Sequence, residues 1–162
     1  MCTGLDMVRY YTMLNGKHRE KDVVERKRKA VLADASETMT KRYVDLTDNK
    51  YCDSIYNYNM REDLRVIITR WRLSSHDLKI ETGRRSGISR ENRYCNFCDD
   101  CIEDESHVIF RCRAYEGQRN RFTSLLAENP DIKSLLNPQT KETATEVGKL
   151  LKAIEQLRNE IL

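Results

Sequence analysis

Four residues near the middle of the chain have the types and the spacing of a metal site. Cys95, Cys98, His107 and Cys112 follow the pattern C-x2-C-x8-H-x4-C. A C-x2-C pair presents two thiolates from one tight turn, and three sulfurs with one imidazole nitrogen can complete a tetrahedron around Zn²⁺. Four protein ligands leave no position for an activated water. The pattern therefore predicts a structural zinc site, a CCHC zinc knuckle, rather than a catalytic one.

The other cysteines leave one alternative open. Cys101 extends the pair to C-x2-C-x2-C and is a rival for the fourth ligand position. Cys112 is favoured, because we expect it to share a helical face with His107. No apolar signal segment opens the chain and no βαβ pattern surrounds the pair, so a disulfide framework and a redox motif are both disfavoured. We expect Cys2 and Cys52 to be free thiols in a reducing compartment, which predicts an intracellular protein of the nucleus or cytoplasm.

The composition predicts a mainly α fold. Of the 162 residues, 34% are charged and 39% hydrophobic, with two prolines and six glycines, which is typical of a helical domain with a modest core. No apolar run approaches the roughly 18 residues of a membrane span. We expect a small helical domain with one embedded zinc knuckle and a C-terminal amphipathic helix. The predicted units are a charged N-terminal helical segment (1–48), the zinc-binding domain (49–136) and the C-terminal helix (137–162).

The apolar periodicity predicts the helices around the metal site. Leu64, Ile67, Ile68 and Trp71 recur at helical spacing and predict a buried stripe, with arginines on the remaining surface and a capping box formed by Asn59 and Glu62. The stretch 51–58 predicts a short tyrosine-rich helix. Another short helix is predicted between a cap at Ser74 or Ser75 and an end at Gly83.

Three further helical segments are predicted towards the C-terminus. His107 to Leu126 reads as one helix, and a short segment lies between Pro130 and Pro138. A last helix begins near Thr140. Its apolar stripe must be buried on this chain's own core or against a partner helix, and consists of Val147, Leu150, Leu151, Ile154, Leu157 and Ile161.

Arginines are concentrated around the predicted metal site. Between residues 61 and 122 twelve of the thirteen basic residues are arginine, whereas elsewhere lysine outnumbers arginine ten to six. The planar guanidinium matches phosphate geometry and stacks on bases in a way that lysine does not. The alternative is that these arginines pair with the eleven acids of the same stretch. The net charge of +3 is too small to decide between the two.

The basic loop of residues 84–93 is the predicted nucleic-acid face. Its flanking acids, Glu81 and Glu91, are too few to neutralise its four arginines. Aromatic side chains beside such a loop can stack on unpaired bases, although Phe97 has the alternative of packing over the metal. The residues expected to contact phosphates or bases are Arg84, Arg85, Arg90, Arg93, Tyr94 and Phe97.

Several segments together resemble a known block. They are LRVIITRWRLSSH (64–76), IETGR (80–84), RYCNFC (93–98) and EDESHVIFRC (103–112). In this order they resemble the zinc-binding region that follows the polymerase domain in reverse transcriptases of non-LTR (LINE-type) retrotransposons. The resemblance covers about residues 51–136. It implies a small helical domain held by one Zn²⁺ on Cys95, Cys98, His107 and Cys112, which helps to hold template RNA or target DNA.

Two function classes follow from these patterns. The first is a zinc-stabilised module that binds RNA or single-stranded DNA. The second is a zinc-stabilised helical scaffold or interaction domain that docks a partner helix and has no nucleic-acid role. An enzyme is disfavoured, since the chain has neither a Tyr-x-Asp-Asp polymerase motif nor a nuclease carboxylate cluster. His76 and Asp77 with Ser74 or Ser75 are too close in sequence to aim at one another as a triad.

Overall fold

The structure is a computed structural model, which describes residues 54–162. The predicted N-terminal helical segment, 1–48, lies outside these residues. The described part is mainly helical, as predicted, with one small sheet. Its helices are α1 (Ser54–Asn57), α2 (Glu62–Arg72), α3 (Lys79–Arg85), α4 (Glu105–Phe110), α5 (Glu116–Arg121), α6 (Thr123–Glu128), α7 (Ile132–Leu136) and α8 (Lys141–Ile161), with 3₁₀ turns at Arg90–Asn92 and Arg113–Tyr115.

The buried stripe predicted on α2 is confirmed. Leu64, Ile67, Ile68 and Trp71 are all buried, with Trp71 fully inaccessible. The predicted capping box is wrong, because the helix follows an extended Arg61 and no side chain caps it. Acids at the first two helical positions complement the partial positive charge of that helix end instead.

One of the α2 arginines predicted to lie on the surface is buried. Arg72 is almost inaccessible and donates from its Nη2 to the Oδ1 of Asn137, at 3.3 Å. The reason is its position beside the stripe, where α7 and the turn that follows it cover α2.

Helix α8 covers the α2 stripe from the other side. Thr140 caps α8, accepting a hydrogen bond from the backbone N–H of Thr143 at 3.1 Å. The central part of its apolar stripe is buried against this chain's own core, and Gly148 lets the α8 backbone approach Leu64 closely. Within residues 54–162 the stripe is therefore already covered, except near its end, where Ile161 is exposed.

The single helix predicted from His107 to Leu126 is wrong. Helix α4 ends at Phe110, Cys112 begins a 3₁₀ turn, and Phe122 separates α5 from α6. In a continuous helix, five residues at about 100° each would place Cys112 roughly 140° around the axis from His107. The helix must therefore end between them for both side chains to reach one point.

Helix α3 differs from its prediction at both ends. It begins after Leu78 rather than at a serine cap, and it runs past Gly83 to Arg85. The backbone N–H of Lys79 donates instead to the carboxylate of Glu103, at 2.7 Å. Gly83 lies inside the helix and does not end it. A Cβ at this position would lie 2.8 Å from the side chain of Arg93, so the close approach of Arg93 requires a glycine.

The remaining short helices agree with the sequence where they can be compared. Helix α7 lies between Pro130 and Pro138, as predicted, and the Asp131 side chain caps it. Helix α1 falls within the predicted stretch 51–58, whose first three residues lie outside the described part. No helix within residues 54–162 is long and apolar enough to span a membrane.

The sheet is an antiparallel hairpin that no sequence pattern predicted. Strand β1 (Tyr94–Cys95) pairs with β2 (Cys98–Ile102), with Tyr94 opposite Ile102 and Cys95 opposite Cys98. A strand of two residues is too short for apolar alternation to be visible. Together with α4, this hairpin positions the cysteines and the histidine.

Candidate metal centre

The hairpin turn brings two of the four predicted ligands side by side. Cys95 and Cys98 are direct partners across it. The backbone N–H of Phe97 points to the Sγ of Cys95, at 3.5 Å, which is the contact that a tight C-x2-C turn makes with its first thiolate.

The other two ligands come from α4 and the residue that follows it. Asp104 caps α4, its Oδ1 accepting from the backbone N–H of His107 at 2.8 Å. The N–H of Cys112 then donates to the carbonyl of His107 at 2.7 Å, which closes the end of the helix. Cys112 therefore reaches the site from beyond the helix and not from a shared helical face, which corrects that expectation.

The four side chains converge as a metal site requires. The ligand atoms of Cys95, Cys98, His107 and Cys112 all lie within 4.8 Å of one another. The Sγ of Cys112 is 3.7 Å from the Sγ of Cys95 and 3.7 Å from that of Cys98. Two sulfurs about 2.3 Å from one tetrahedral ion would be about 3.8 Å apart, whereas a disulfide needs about 2.05 Å. The geometry suits a shared metal ion and excludes disulfides among these pairs.

The histidine offers an unused lone pair. The Nε2 of His107 is buried, and it has no hydrogen-bond partner among the described residues. A buried polar atom without a partner is unfavourable, and a metal ion bound to it would satisfy that atom. This observation on His107 is independent of the sulfur distances and fits the same ligand set.

Without a bound cation, burial favours the neutral form of the thiols. Burial raises the pKa of the Cys112 thiol to about 12, and it raises the pKa of the Cys95 thiol above its ordinary value. Burial, with a contribution from the charge of Arg111, lowers the pKa of His107 and keeps the imidazole neutral, which is the form that binds metals. A bound cation is what would stabilise neighbouring thiolates here.

Cys101 does not join the group. Its side chain is exposed on β2, and the four converging ligands do not include it. The alternating faces of a strand explain this, because Cys98 and Cys101 are an odd number of residues apart and their side chains leave β2 on opposite faces. The choice of Cys112 over Cys101 is therefore the one that the geometry favours.

The acids just before His107 hold the metal loop, the segment between Cys98 and His107, in place. The carboxylate of Glu103 is buried and accepts from the backbone of Lys79 and from Arg158. Asp104 is the α4 cap. These roles were missed from the sequence, although the run of acids directly before the histidine was visible.

Glu105 makes the third of these contacts. It lies 2.8 Å from the Nε2 of His76, and both side chains are almost fully buried. His76 therefore faces an acid of α4 and not Asp77 or the neighbouring serines. This contact ties the segment between α2 and α3 to the helix that carries His107.

The arginines of the predicted nucleic-acid face divide into two kinds. Arg84 forms an ion pair with the buried Glu81, its Nε donating to Oε2, and Arg93 donates to the backbone carbonyls of Ile80 and Ile88. These two are occupied within the fold. Arg85 lies 3.4 Å from Asp77, an acid outside the two that flank the loop in sequence.

The two aromatic candidates are not equivalent. Tyr94 is 47% exposed at the edge of the hairpin. Phe97 is half-buried and packs edge-on against the ring of Tyr115, with centroids 6.4 Å apart, while its carbonyl accepts from Arg113. Phe97 thus packs against Tyr115, whereas the ring of Tyr94 remains accessible to a ligand.

No family model, curated protein or solved structure matches this chain.

Proposed function

We propose that this chain is a zinc-binding module that binds nucleic acid, RNA or single-stranded DNA, and has no polymerase activity of its own. The observation that carries the proposal is the convergence of Cys95, Cys98, His107 and Cys112 within 4.8 Å. Three sulfurs and one imidazole form a soft tetrahedral set that suits Zn²⁺ better than Mg²⁺ or Ca²⁺, which bind oxygen. Four protein ligands make the ion a structural one.

The nucleic-acid part of the proposal is supported by exposed side chains beside the metal loop. Arg85 and Arg90 keep more than half of their side-chain surface accessible, and Tyr94, which follows them in the chain, is also exposed. Guanidinium groups suit phosphates, and an accessible aromatic ring suits an unpaired base. Arg84 and Arg93, occupied by Glu81 and by backbone carbonyls, are here assigned to holding the loop.

The resemblance to the retrotransposon zinc-binding region supports a hypothesis about the descent of this chain. Its four ligand positions are the four that converge, and each acid of its E-D-E-x-H segment makes a buried or capping contact. We propose that the chain derives from such a zinc-binding region and retains its role of holding nucleic acid.

The second candidate is a zinc-stabilised scaffold without a nucleic-acid role. It is favoured by the ion pairs that several loop arginines make with Asp77, Glu81 and Asp104. Its original support, an apolar stripe on α8 seeking a partner helix, is weakened because α2 already covers most of that stripe. We therefore place nucleic-acid binding first.

The proposal is tested on the purified full chain in two steps. Native mass spectrometry should find one Zn²⁺ per chain, and a folded chain without metal would overturn the zinc assignment. Titration with labelled RNA, single-stranded DNA and duplex DNA should then be repeated over a range of salt concentrations. The logarithm of the binding constant should fall linearly with the logarithm of the salt concentration. Absence of binding at low salt would place the scaffold first. Primer extension and Mg²⁺-dependent cleavage should both be absent.

A further inference from the structure

Two arginines from different segments approach one carboxylate beside the metal loop. The guanidinium of Arg90, in the 3₁₀ turn before β1, lies 3.9 Å from Oδ2 of Asp104. That of Arg111, directly after α4, lies 4.0 Å from Oδ1 of the same side chain. Both distances exceed a normal hydrogen bond. The two arginines are thus held near one another without using their donors fully on Asp104.

These arginines are accessible and only partly neutralised. The side chain of Arg90 is 61% exposed and that of Arg111 is 65% exposed. Asp104 supplies one negative charge to two guanidinium groups, and its Oδ1 also accepts from the backbone of His107. Two guanidinium groups on either side of one acceptor can turn towards a phosphodiester that binds over them.

Tyr94 lies at the open end of the hairpin, where β2 ends shortly before Asp104. It is paired with Ile102 across the sheet, and the backbone N–H of Glu103 donates to the carbonyl of Arg93 at 2.9 Å. Asp104 is therefore within two residues of the position opposite Tyr94. Arg90 and Arg111 thus lie beside Asp104, and Tyr94 is paired across the sheet with a residue two positions before that acid.

We propose that Arg90 and Arg111 form a clamp for one phosphodiester of a single-stranded nucleic acid, with Tyr94 as the stacking platform for an adjacent base. The clamp deepens the proposed nucleic-acid function and rests on it. A single strand is the ligand, because stacking on Tyr94 needs a base that is not already stacked inside a duplex. Asp104 attracts both guanidinium groups, and its negative charge weakens their attraction for the phosphate.

The principal test measures binding of the zinc-loaded full chain to fluorescein-labelled oligo(U) RNA, oligo(dT) and a blunt DNA duplex by fluorescence anisotropy. In the R90A/R111A variant we expect affinity for the single strands to fall roughly tenfold or more, which corresponds to losing charge-assisted hydrogen bonds to one phosphate. The negative slope of log affinity against log salt concentration should become shallower by about 0.7, the contribution of one phosphate on a single strand. Zinc content and the thermal midpoint should match the parent.

A matched control and three further variants separate the clamp from a general effect of charge. Arg61 is as exposed and pairs with Asp63 on α2, so Arg61→Ala should leave affinity near the parent value. Tyr94→Ala should weaken single-strand binding about fivefold or more, whereas Tyr94→Phe should retain it. Asp104→Asn keeps a good helix cap and removes the opposing charge, and should therefore tighten binding.

The outcomes are distinguishable. If the parent binds none of the probes at low salt, the proposed function fails and the clamp fails with it. If the parent binds single strands and R90A/R111A binds them equally well, the clamp alone is overturned and the phosphate contacts lie elsewhere. Tighter binding of the parent to duplex than to single strands, or an Asp104→Asn variant that binds more weakly with its zinc retained, would also overturn the clamp.

Discussion

Arg158 donates to both carboxylate oxygens of Glu103, at 2.5 and 3.0 Å, although the two residues are 55 positions apart in the chain. The same carboxylate accepts from the backbone of Lys79 at the start of α3, and Arg158 also donates to the carbonyl of Asp77. Glu103 lies just before the helix that carries His107. One buried ion pair therefore joins α3, the metal loop and α8 into a single core.

We expect Arg158→Met to lower the free energy of unfolding by about 3–5 kcal/mol, because it leaves the carboxylate of Glu103 buried without its cation. Urea denaturation of the zinc-loaded chain measures this. The double variant with Glu103→Gln removes both charges and should recover a large part of the loss. A single variant as stable as the parent would show that the carboxylate finds solvent or another donor when Arg158 is absent.

The cysteines give a paired prediction. Cys112→Ser should abolish stoichiometric zinc binding and unfold the region around the hairpin and α4, since structural zinc supplies about 10–16 kcal/mol of apparent binding free energy in small modules. Cys101→Ser, the matched exposed cysteine, should retain one zinc and the parent's thermal midpoint. Mass spectrometry measures the metal content of both variants, and circular dichroism measures their folding. The reverse pattern would make Cys101 the fourth ligand.

Two helical glycines should respond oppositely to alanine. A Cβ on Gly148 would lie 2.7 Å from the Cβ of Leu64 and 3.1 Å from its carbonyl oxygen, so Gly148→Ala must push α8 away from α2. We expect Gly148→Ala to lower the free energy of unfolding by about 1–3 kcal/mol. A Cβ on Gly117 meets nothing within 4 Å, and Gly117→Ala should stabilise by up to about 1 kcal/mol through helix propensity. Denaturant midpoints compare them, and equal effects would contradict the close approach of α8 to α2.

Tyr115 should make the fold sensitive to alkali. Burial raises the pKa of its phenol, an effect that Arg158 partly offsets. The folded chain then holds this proton more tightly than the unfolded chain, whose tyrosines titrate near about 10. The free energy of unfolding should therefore fall as pH rises from about 10 towards the higher folded pKa. Denaturation series at increasing pH should show a shallower decline for Tyr115→Phe. Identical declines would mean that the phenol contributes nothing.

The elements that the sequence predicted well are those that repeat an apolar pattern over several turns. The stripes on α2 and α8 are each set by four or more regularly spaced residues, so local periodicity was sufficient. The metal ligands were recognisable because their residue types and spacing carry the chemistry. Their convergence depended on a turn at Cys95 and Cys98, which the C-x2-C spacing itself encodes.

The elements that the sequence did not predict are set by individual contacts rather than by a repeated apolar pattern. The break before Cys112 arises from the need to bring it to the side chain of His107, and the start of α3 is satisfied by Glu103 rather than by a local cap. The division of the arginines has the same origin, because Arg93 donates to carbonyls of a helix and a loop that precede it. None of these contacts leaves a periodic signal in the sequence.

The separation between Glu103 and Arg158 also sets an order of events during synthesis on the ribosome. The metal ligands span only residues 95–112, so the hairpin and α4 can close around an ion soon after they leave the exit tunnel. The burial of the α2 stripe and of the Glu103 carboxylate is completed only by α8, which is translated after both of them. Until then the nascent chain carries an exposed apolar surface on α2, which is the kind of surface that chaperones recognise. All four residues of the candidate metal site are therefore translated before the helix that completes the core.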